Sequence, residues 1–368
     1  MDDDDEPGFR LFRGGLLRGL GRVTRLVRGD RLDIARQSVA LALVAWVPLL
    51  GLWGLEWLLT GGFHPPFTQI EVHTRWLVSV PLLFAAERIV DERIGVLARY
   101  LSESGLVSTA RAPELHRFER RVAAWCDSAI LEVVLLMIAV SLSAGQVEIG
   151  DAPSRWWDCL VTLPLYRFLL LRWLLRWLLW TVLLVGVSRL ELDLNGLHPD
   201  RVGGLGLLVE PTRAFALVIL AIGSAVASVL AMRMRAGVPL GDMMPVMVTY
   251  VGLTVGLALL PLVTFAPMLA RAKRAALFRY GIFGQAFVHA FEDRWLRRDP
   301  GPMLGCVDVS SLNDLGGAHS VIREMRIVPF TSRSVAELVA VALFPMLPLY
   351  LQSVSITTLA TYLVKALF

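Results

Sequence analysis

Long apolar runs, most of them about the length of a membrane-spanning helix, alternate along the chain with segments rich in arginine. A helix rises about 1.5 Å per residue, so about 20 apolar residues cross the roughly 30 Å hydrocarbon core of a bilayer. The ten-residue alternation of outer-membrane strands is absent from the sequence. The pattern predicts an all-α polytopic transmembrane bundle of about seven spans, with six to eight compatible with it.

The spans are bounded by turn signals between the apolar runs. The second span begins at Trp76 and meets Glu87 after eleven uncharged residues, so it requires that this glutamate be accommodated inside the bundle. A capping box of Ser334 and Glu337 opens the last span. The other predicted spans cover residues 37–59, 122–144, 159–188, 214–232 and 243–270.

Composition places this bundle in lipid. The chain is 55% hydrophobic, with a mean hydropathy of +0.60, whereas soluble domains are about 45–50% apolar. Segments 1–37, 88–121, 189–213 and 271–333 hold 28 Lys and Arg residues, against four in 61–75, 145–157 and 233–242. This bias predicts a cytoplasmic N-terminus and, with seven spans, an outer C-terminus.

Arginine next to apolar runs is typical of an orientation signal beside anionic lipid headgroups, and not of a nucleic-acid surface. Residues 1–36 form a basic segment that we interpret either as an amphipathic helix on the inner leaflet or as a disordered tail that sets topology. Residues 37–368 form the transmembrane domain. Its cytoplasmic helical segments are 88–121 and 271–333, and the second carries an aromatic face of Tyr280, Phe283, Phe287 and Phe291 that should pack against other cytoplasmic helices.

The fourth span carries three arginines, Arg167, Arg172 and Arg176. A cation at bilayer depth costs at least about 2.5 kcal/mol, so the span needs carboxylate partners, contact with the headgroups or a wet cavity. The helical rise places Glu87, Glu132 and Arg176 near mid-membrane, with Arg172 one turn outward on nearly the same face. The sequence therefore predicts an intramembrane polar cluster of Glu87, Glu132, Arg172 and Arg176.

Two interpretations of this cluster stay open at the level of sequence. It is either an ion-pair network that holds the helices in register, or a pathway for protons or small anions. A voltage sensor would need arginines at regular third positions, a spacing that this span lacks.

A loop after the fourth span is the second candidate site. Its glycines allow backbone N–H groups to converge on an anion, and its polar side chains are suited to acid–base or charge functions. No GK[ST] sequence follows, so the loop is not a P-loop, and a rigid turn between two spans is the alternative. The candidate residues are His198, Asp200, Arg201, Gly203, Gly204 and Gly206.

Known catalytic and metal-binding patterns are missing from the sequence. It contains no HExxH motif, no Cys/His cluster and no GxSxG elbow, so we predict no metal and no cofactor, and an enzyme is the weakest of the function classes. The three cysteines show no CxxC spacing and are expected to be free thiols. Gly252 and Gly256 form a GxxxG match, which we interpret as packing within the chain in preference to a homo-oligomer interface.

Four segments of the chain are similar to segments of a known group of proteins. They are LPLYRFLLLRWLLRW, VSRLELDLNGLHPDRVGGLGLL, FAPMLARAKRAALFRYG and VIREMRIVPFTSRSVAELVAVALFPMLPLYL. With them, the chain resembles a family of uncharacterised bacterial inner-membrane proteins, over most of its length beyond the first span. Relatives usually read THPDRAGGLGFL in the loop and usually have Gln at the position of Arg167. The resemblance implies a multi-pass inner-membrane protein and singles out the loop and the fourth span, but the family has no assigned activity.

Transport or conduction of protons or small anions through the polar cluster is the leading functional hypothesis. A membrane-embedded sensor or scaffold that acts through the cytoplasmic helices is the alternative.

Overall fold

The computed structural model describes residues 32–60, 69–146, 152–297 and 307–353. Within these ranges the regular secondary structure is helical. Val107 and Leu192 form an isolated antiparallel β-bridge. The α-helices are α1 Leu32–Thr60, α2 Ile70–Thr74, α3 Val80–Glu103, α4 Ala112–Cys126, α5 Ala129–Ala144, α6 Pro153–Trp157, α7 Leu163–Ser188, α8 Val209–Ala214, α9 Ala216–Arg235, α10 Leu240–Val263, α11 Ala266–Trp295, α12 Val307–Glu324, α13 Ser332–Leu343 and α14 Leu347–Ser353.

Two π-helical turns join short helices to the longer ones that follow them. Arg75–Ser79 joins α2 to α3, and Asp158–Thr162 joins α6 to α7, so residues 70–103 and 153–188 each form one continuous helix. Short 3₁₀ turns at Gly206–Leu208 and Phe344–Met346 precede α8 and α14. The second of these contains Pro345, and it separates α13 from α14.

The all-α membrane-bundle fold is confirmed. Five helical stretches in the described residues are long and apolar enough to cross a bilayer, and a sixth appears if the bent pair α4–α5 is one span. This is fewer than the predicted seven. The difference arises at α3, because Glu87, Arg88, Asp91, Glu92 and Arg93 make that helix too charged to count as an apolar span. The five stretches are Val39–Leu59, Pro153–Ser188, Gly206–Arg235, Leu240–Val263 and Ser332–Gln352.

The predicted third span is wrong as a single straight helix. The chain bends by 42° between Cys126 and Ala129. Ser128 adopts an extended conformation there, and its hydroxyl accepts a hydrogen bond from the backbone N–H of Leu131, so a new helix begins. Glu132 consequently lies in the first turn of α5, and a depth calculated for a straight helix does not apply to it.

Two predicted boundaries also move. The sixth span ends at Val263, seven residues early, because the chain breaks at Thr264 and Phe265 before α11 begins. The predicted capping box at Ser334 and Glu337 is displaced by one turn: the cap of α13 is Thr331, whose side chain accepts from the backbone N–H of Ser334.

Helices α4 and α5 run antiparallel to α7 along its length. Phe118 lies against Gly186 near one end of the pair, where a Cβ atom would come within 2.1 Å of the phenyl ring. At the other end, Arg167 contacts Ser143. Continuous helix 70–103 packs on the same core, which includes the buried rings of Trp76 and Trp180. Glu87, Glu132, Arg172 and Arg176 are buried among these helices.

Helices α11 and α12 form a cytoplasmic hairpin in the predicted topology and pack against each other. Of the predicted aromatic face, Tyr280, Phe287 and Phe291 are partly buried. Phe283 is exposed, so it does not belong to the packed face.

The remaining predictions concern the GxxxG match, the cysteines and the two ends of the chain. No described atom lies within 4 Å of a Cβ placed on Gly252 or Gly256, so the packing within the chain that we favoured for this motif is wrong over the described part, and the homo-oligomer stays a prediction. Cys126 and Cys159 are free thiols, as expected. The basic segment up to residue 31 and the chain after residue 353 lie outside the described residues.

Candidate functional site

The structure brings the four predicted cluster residues together, and one carboxylate bridges two arginines. Arg176 Nη2 lies 2.7 Å from Glu87 Oε1, and Arg172 Nη1 lies 3.3 Å from Glu87 Oε2. The two arginines are one turn apart on α7 and differ by about 40° around its axis, so both reach α3 on the same side. Glu87 is therefore held by two charge-assisted hydrogen bonds from successive turns of one helix.

Glu132 reaches the same group from α5. Its Oε1 lies 3.0 Å from Arg172 Nε, so Arg172 lies between two carboxylates. The side chains of Arg172 and Glu132 are only 6% and 2% exposed. Two carboxylates and two guanidinium groups carry no net charge when all four are ionised, which is the condition under which burial of the whole group is tolerable.

The arrangement within the cluster differs from the predicted one. Arg172 was expected to extend outward a cluster formed by Glu87, Glu132 and Arg176, whereas it is the group that joins the two carboxylates. The guanidinium of Arg176 pairs with Glu87 and stacks over the ring of Trp173 at 5.2 Å. Rotation around α7 predicts which arginines share a face, but the choice of partner depends on how α5 restarts after the bend.

Arg167 is stabilised by uncharged hydrogen-bond acceptors. Its Nη1 donates to the carbonyl of Leu142 at 2.6 Å and to the hydroxyl of Ser143 at 2.7 Å. These groups belong to the last turn of α5, where carbonyls lack partners within the helix and the dipole favours a cation. The third arginine of the span therefore caps a neighbouring helix and takes no part in the cluster.

Asp91 is a further buried acid that the sequence reasoning missed. It lies four residues after Glu87 on α3, so its side chain shares the buried face. Cys126 interacts electrostatically with Arg176, Arg172 and Asp91, which places this acid in the same charged region. The i,i+4 spacing from Glu87 was the signal that would have found it.

Apolar side chains close the cluster on one side. The space bordered by Glu87, Arg172 and Arg176 is also lined by Leu83, Phe84, Leu169 and Trp173, and it is too narrow for a water-sized sphere. A conformational change would have to part these side chains before water reached the ion pairs from this direction.

The glycine-containing loop does gather backbone N–H groups around an anion, and the anion is the side chain of Asp200. Its carboxylate accepts from the N–H groups of Val202 at 2.8 Å, Gly204 at 3.1 Å and Gly206 at 2.8 Å. His198 Nδ1 lies 2.9 Å from Asp200 Oδ1. The donors that could hold an external anion are therefore occupied within the loop.

Backbone geometry explains two of the glycines. Gly203 and Gly204 have φ angles of 69° and 98°, in the left-handed region that favours glycine. A Cβ on Gly204 would also lie 2.9 Å from Leu106. Arg201 is left-handed too, with φ 59°, and forms an ion pair with Glu324 at 2.7 Å.

The loop joins α7 to the segment that follows α12 through contacts that the sequence did not predict. Arg326 donates its backbone N–H to the Arg201 carbonyl at 2.7 Å and its Nη2 to the Asp200 carbonyl at 2.9 Å. The Tyr100 hydroxyl donates to the Gly204 carbonyl at 2.9 Å. The REMR segment that contains Arg326 appeared only as part of the resemblance. Because the loop is fixed on both sides, the rigid-turn interpretation describes its geometry well.

The described residues contain no group of three or more His, Cys, Asp or Glu side chains that would hold a metal ion. Comparison with known proteins found no matching family model, no matching curated protein and no matching solved structure. The function must therefore be argued from the geometry alone.

Charge balance in the cluster generates a stability prediction. Replacing Arg176 by Met leaves a net negative charge inside the bundle, and we expect it to lower the free energy of unfolding by about 3–5 kcal/mol. Adding Glu132→Gln restores neutrality around the Arg172–Glu87 pair and should recover part of that loss. Chemical unfolding in detergent micelles measures both.

The exposed pair of Arg333 and Glu337 provides the control. Arg333→Met should change stability by less than about 1 kcal/mol. If the double variant is as unstable as the sum of its single variants, the four charges do not balance one another.

The loop generates a pH prediction. Burial of Asp200 opposes its ionisation, but hydrogen bonds from Val202, Gly206, Gly204 and His198 outweigh burial and lower the pKa of this carboxyl. A lowered folded-state pKa contributes stability that is present above the ordinary carboxyl pKa and is lost as pH falls through the lowered value.

Asp200→Asn should therefore reduce stability by about 1–3 kcal/mol at neutral pH and flatten the loss of stability on acidification. Unfolding curves measured between neutral and acidic pH test this. Asp193→Asn, an exposed acid that precedes the loop, is the matched control and should leave the pH profile unchanged.

Proposed function

We propose that this membrane-embedded protein is a multi-pass bacterial inner-membrane protein, with a cytoplasmic N-terminus, that conducts protons through the cluster of Glu87, Glu132, Arg172 and Arg176. The observation that carries the proposal is that Arg172 lies within hydrogen-bond distance of two buried carboxylates from different helices. The excess of 28 cations against four in alternate segments supports the orientation. Ionisable groups buried among apolar helices mark proton relays and ion pathways.

Protons fit this geometry better than hydrated ions do. The space that borders the ion pairs on one side does not admit a water-sized sphere, so an ion with its hydration shell does not fit there. A proton needs only a chain of groups that exchange hydrogen bonds. Glu132 takes up a proton on its carboxylate, which cancels its attraction for Arg172 and leaves that guanidinium to Glu87. Release of the proton restores the original pairing.

The same protonation step would also allow a small anion to enter the cluster. When Glu132 is protonated, the cluster carries a net positive charge, which would favour entry of one small anion as a counter-charge. Proton flux that requires chloride would indicate this coupled mode, and flux that is independent of the anion would indicate protons alone.

Purified protein in liposomes under a pH gradient tests the proposal. A pH-sensitive dye trapped inside should report proton entry with the unmodified chain, and Glu132→Gln should reduce it to the rate of empty liposomes because an amide does not take up and release a proton near neutral pH. The matched control is Glu92→Gln on α3, an exposed glutamate near Glu87, which should leave the flux unchanged.

Absence of flux with the unmodified chain, under pH gradients of either direction, would exclude proton conduction. Flux that survives in Glu132→Gln would move the path away from the cluster.

The cytoplasmic hairpin favours a second candidate, a sensor or scaffold that binds a protein partner. Phe278 on α11 is 73% exposed, and Ile282 and Phe283 are exposed beside it. Phe287 and Phe291 are partly buried on the packed side of the same helix. A large apolar surface outside the spans is typical of a contact site.

Phe278→Ala combined with Phe283→Ala should therefore abolish co-purification of a cytoplasmic partner while leaving membrane insertion intact. Phe287→Ala is the matched control, because it removes a ring from the packed side. The same set of co-purifying proteins in all samples would argue against the scaffold.

A further inference from the structure

A second ion pair joins the two long helices near the ends that the predicted topology places outside. Arg75 Nη1 lies 3.6 Å from Asp158 Oδ1, and the two side chains are 12% and 24% exposed. The Arg75 guanidinium lies 5.4 Å from the centre of the Tyr166 ring. The hydroxyl of Thr162, itself buried, donates a hydrogen bond to the Asp158 carboxylate. Charge, ring and hydroxyl together define a compact polar group.

Both members of this pair begin a π-helical turn. The N–H of Val80 donates to the carbonyl of Arg75, and the N–H of Leu163 donates to the carbonyl of Asp158, so each bond spans five residues. Single π turns are rare and occur frequently at functional sites. Here they occur on two separate helices, at the two residues that form one ion pair.

The charges follow opposite orders along the two helices. Continuous helix 70–103 carries Arg75 and, about 18 Å further, Glu87. Continuous helix 153–188 carries Asp158 and, about 21 Å further, Arg172. The same helices are thus joined at two levels by ion pairs of reversed polarity.

An apolar layer separates the two levels. Leu83 and Phe84 follow the first π turn on one helix, and Leu169 lies between Asp158 and Arg172 on the other, with Trp173 next to Arg172 at the inner edge; all four are buried. These four side chains also line the closed space beside the inner cluster. Water that passed the outer ion pair would therefore meet this layer before it reached Glu87.

We propose that the Arg75–Asp158 pair is the outer gate of the proton path. It holds the two helices together above the apolar layer, and its separation admits water to Leu83 and Phe84 and from there to the inner cluster. The inference rests on the proposed function, because it names the residues that control access to the same site. In this arrangement Asp158 closes the path, whereas Glu132 carries the proton.

The two roles predict flux changes of opposite sign. Asp158→Asn removes the charge that holds Arg75 and should raise proton flux in liposomes by about tenfold, which corresponds to about 1.4 kcal/mol in the closed–open equilibrium. The exchanged pair Arg75→Glu with Asp158→Arg should return the flux to that of the unmodified chain. Asp242→Asn, an exposed acid in the first turn of α10, is the matched control and should have no effect.

Cysteine labelling provides a readout that does not depend on flux. In a background with Cys126, Cys159 and Cys306 replaced by Ser, a cysteine introduced by Leu83→Cys should resist a water-soluble thiol reagent. Adding Asp158→Asn should make it react. If Asp158→Asn does not fold, Thr162→Val takes its place, since it removes only the hydrogen bond to the carboxylate and should give a smaller increase in labelling.

The outcomes separate the two proposals. Liposomes that carry the unmodified chain and pass no protons exclude the proposed function. Proton flux that is unchanged or lowered by Asp158→Asn, together with unchanged labelling at position 83, leaves proton conduction standing and overturns the gate.

Discussion

A guanidinium group cannot be left unpaired in hydrocarbon, and α7 carries Arg172 and Arg176 into the interior of an apolar bundle. The rest of the structure depends on how these two charges are compensated. Glu87 has to face α7, which fixes the rotation of the charged helix α3. Glu132 has to reach Arg172 from a different helix, which fixes where α5 begins after the bend at Ser128. Packing and electrostatics therefore require the same relative placement of three helices.

The same requirement explains why the protein holds so charged a helix as α3 in its core. Removal of either carboxylate would leave a buried cation, whereas the complete set of four is neutral. The loop around Asp200 extends this order beyond the cluster, because it follows α7 and is held by Arg326, which comes shortly after α12. A displacement of the hairpin would act on the carbonyls of this loop, and hence on the end of the helix that carries both arginines. The transport and sensor hypotheses thus meet at one structural element.

The sequence was sufficient for the class of fold and for Glu87, Glu132, Arg172 and Arg176, since apolar length and helical spacing are local properties, but Asp91 beside them was missed. The arginine spacing on α7 and the cost of burying charge required carboxylates on neighbouring helices. It was not sufficient for the pairing, because the bend between Cys126 and Ala129 changes the reach of Glu132. Nor did the sequence indicate that the loop N–H groups would donate to the Asp200 side chain, since an external anion could accept the same hydrogen bonds. Arg326 and Asp158 act through contacts between segments distant in the chain, which no local pattern contains.

If the cluster conducts protons, its buried carboxylates change protonation state during proton transfer. Infrared difference spectroscopy on the protein in lipid, during a pH jump, detects this change. We expect a new band in the carbonyl region of protonated carboxylic acids, which shifts in D₂O and disappears in Glu132→Gln. The same band, unaltered in that variant and in Glu87→Gln, would show that the four charges are a permanent ionic contact between helices.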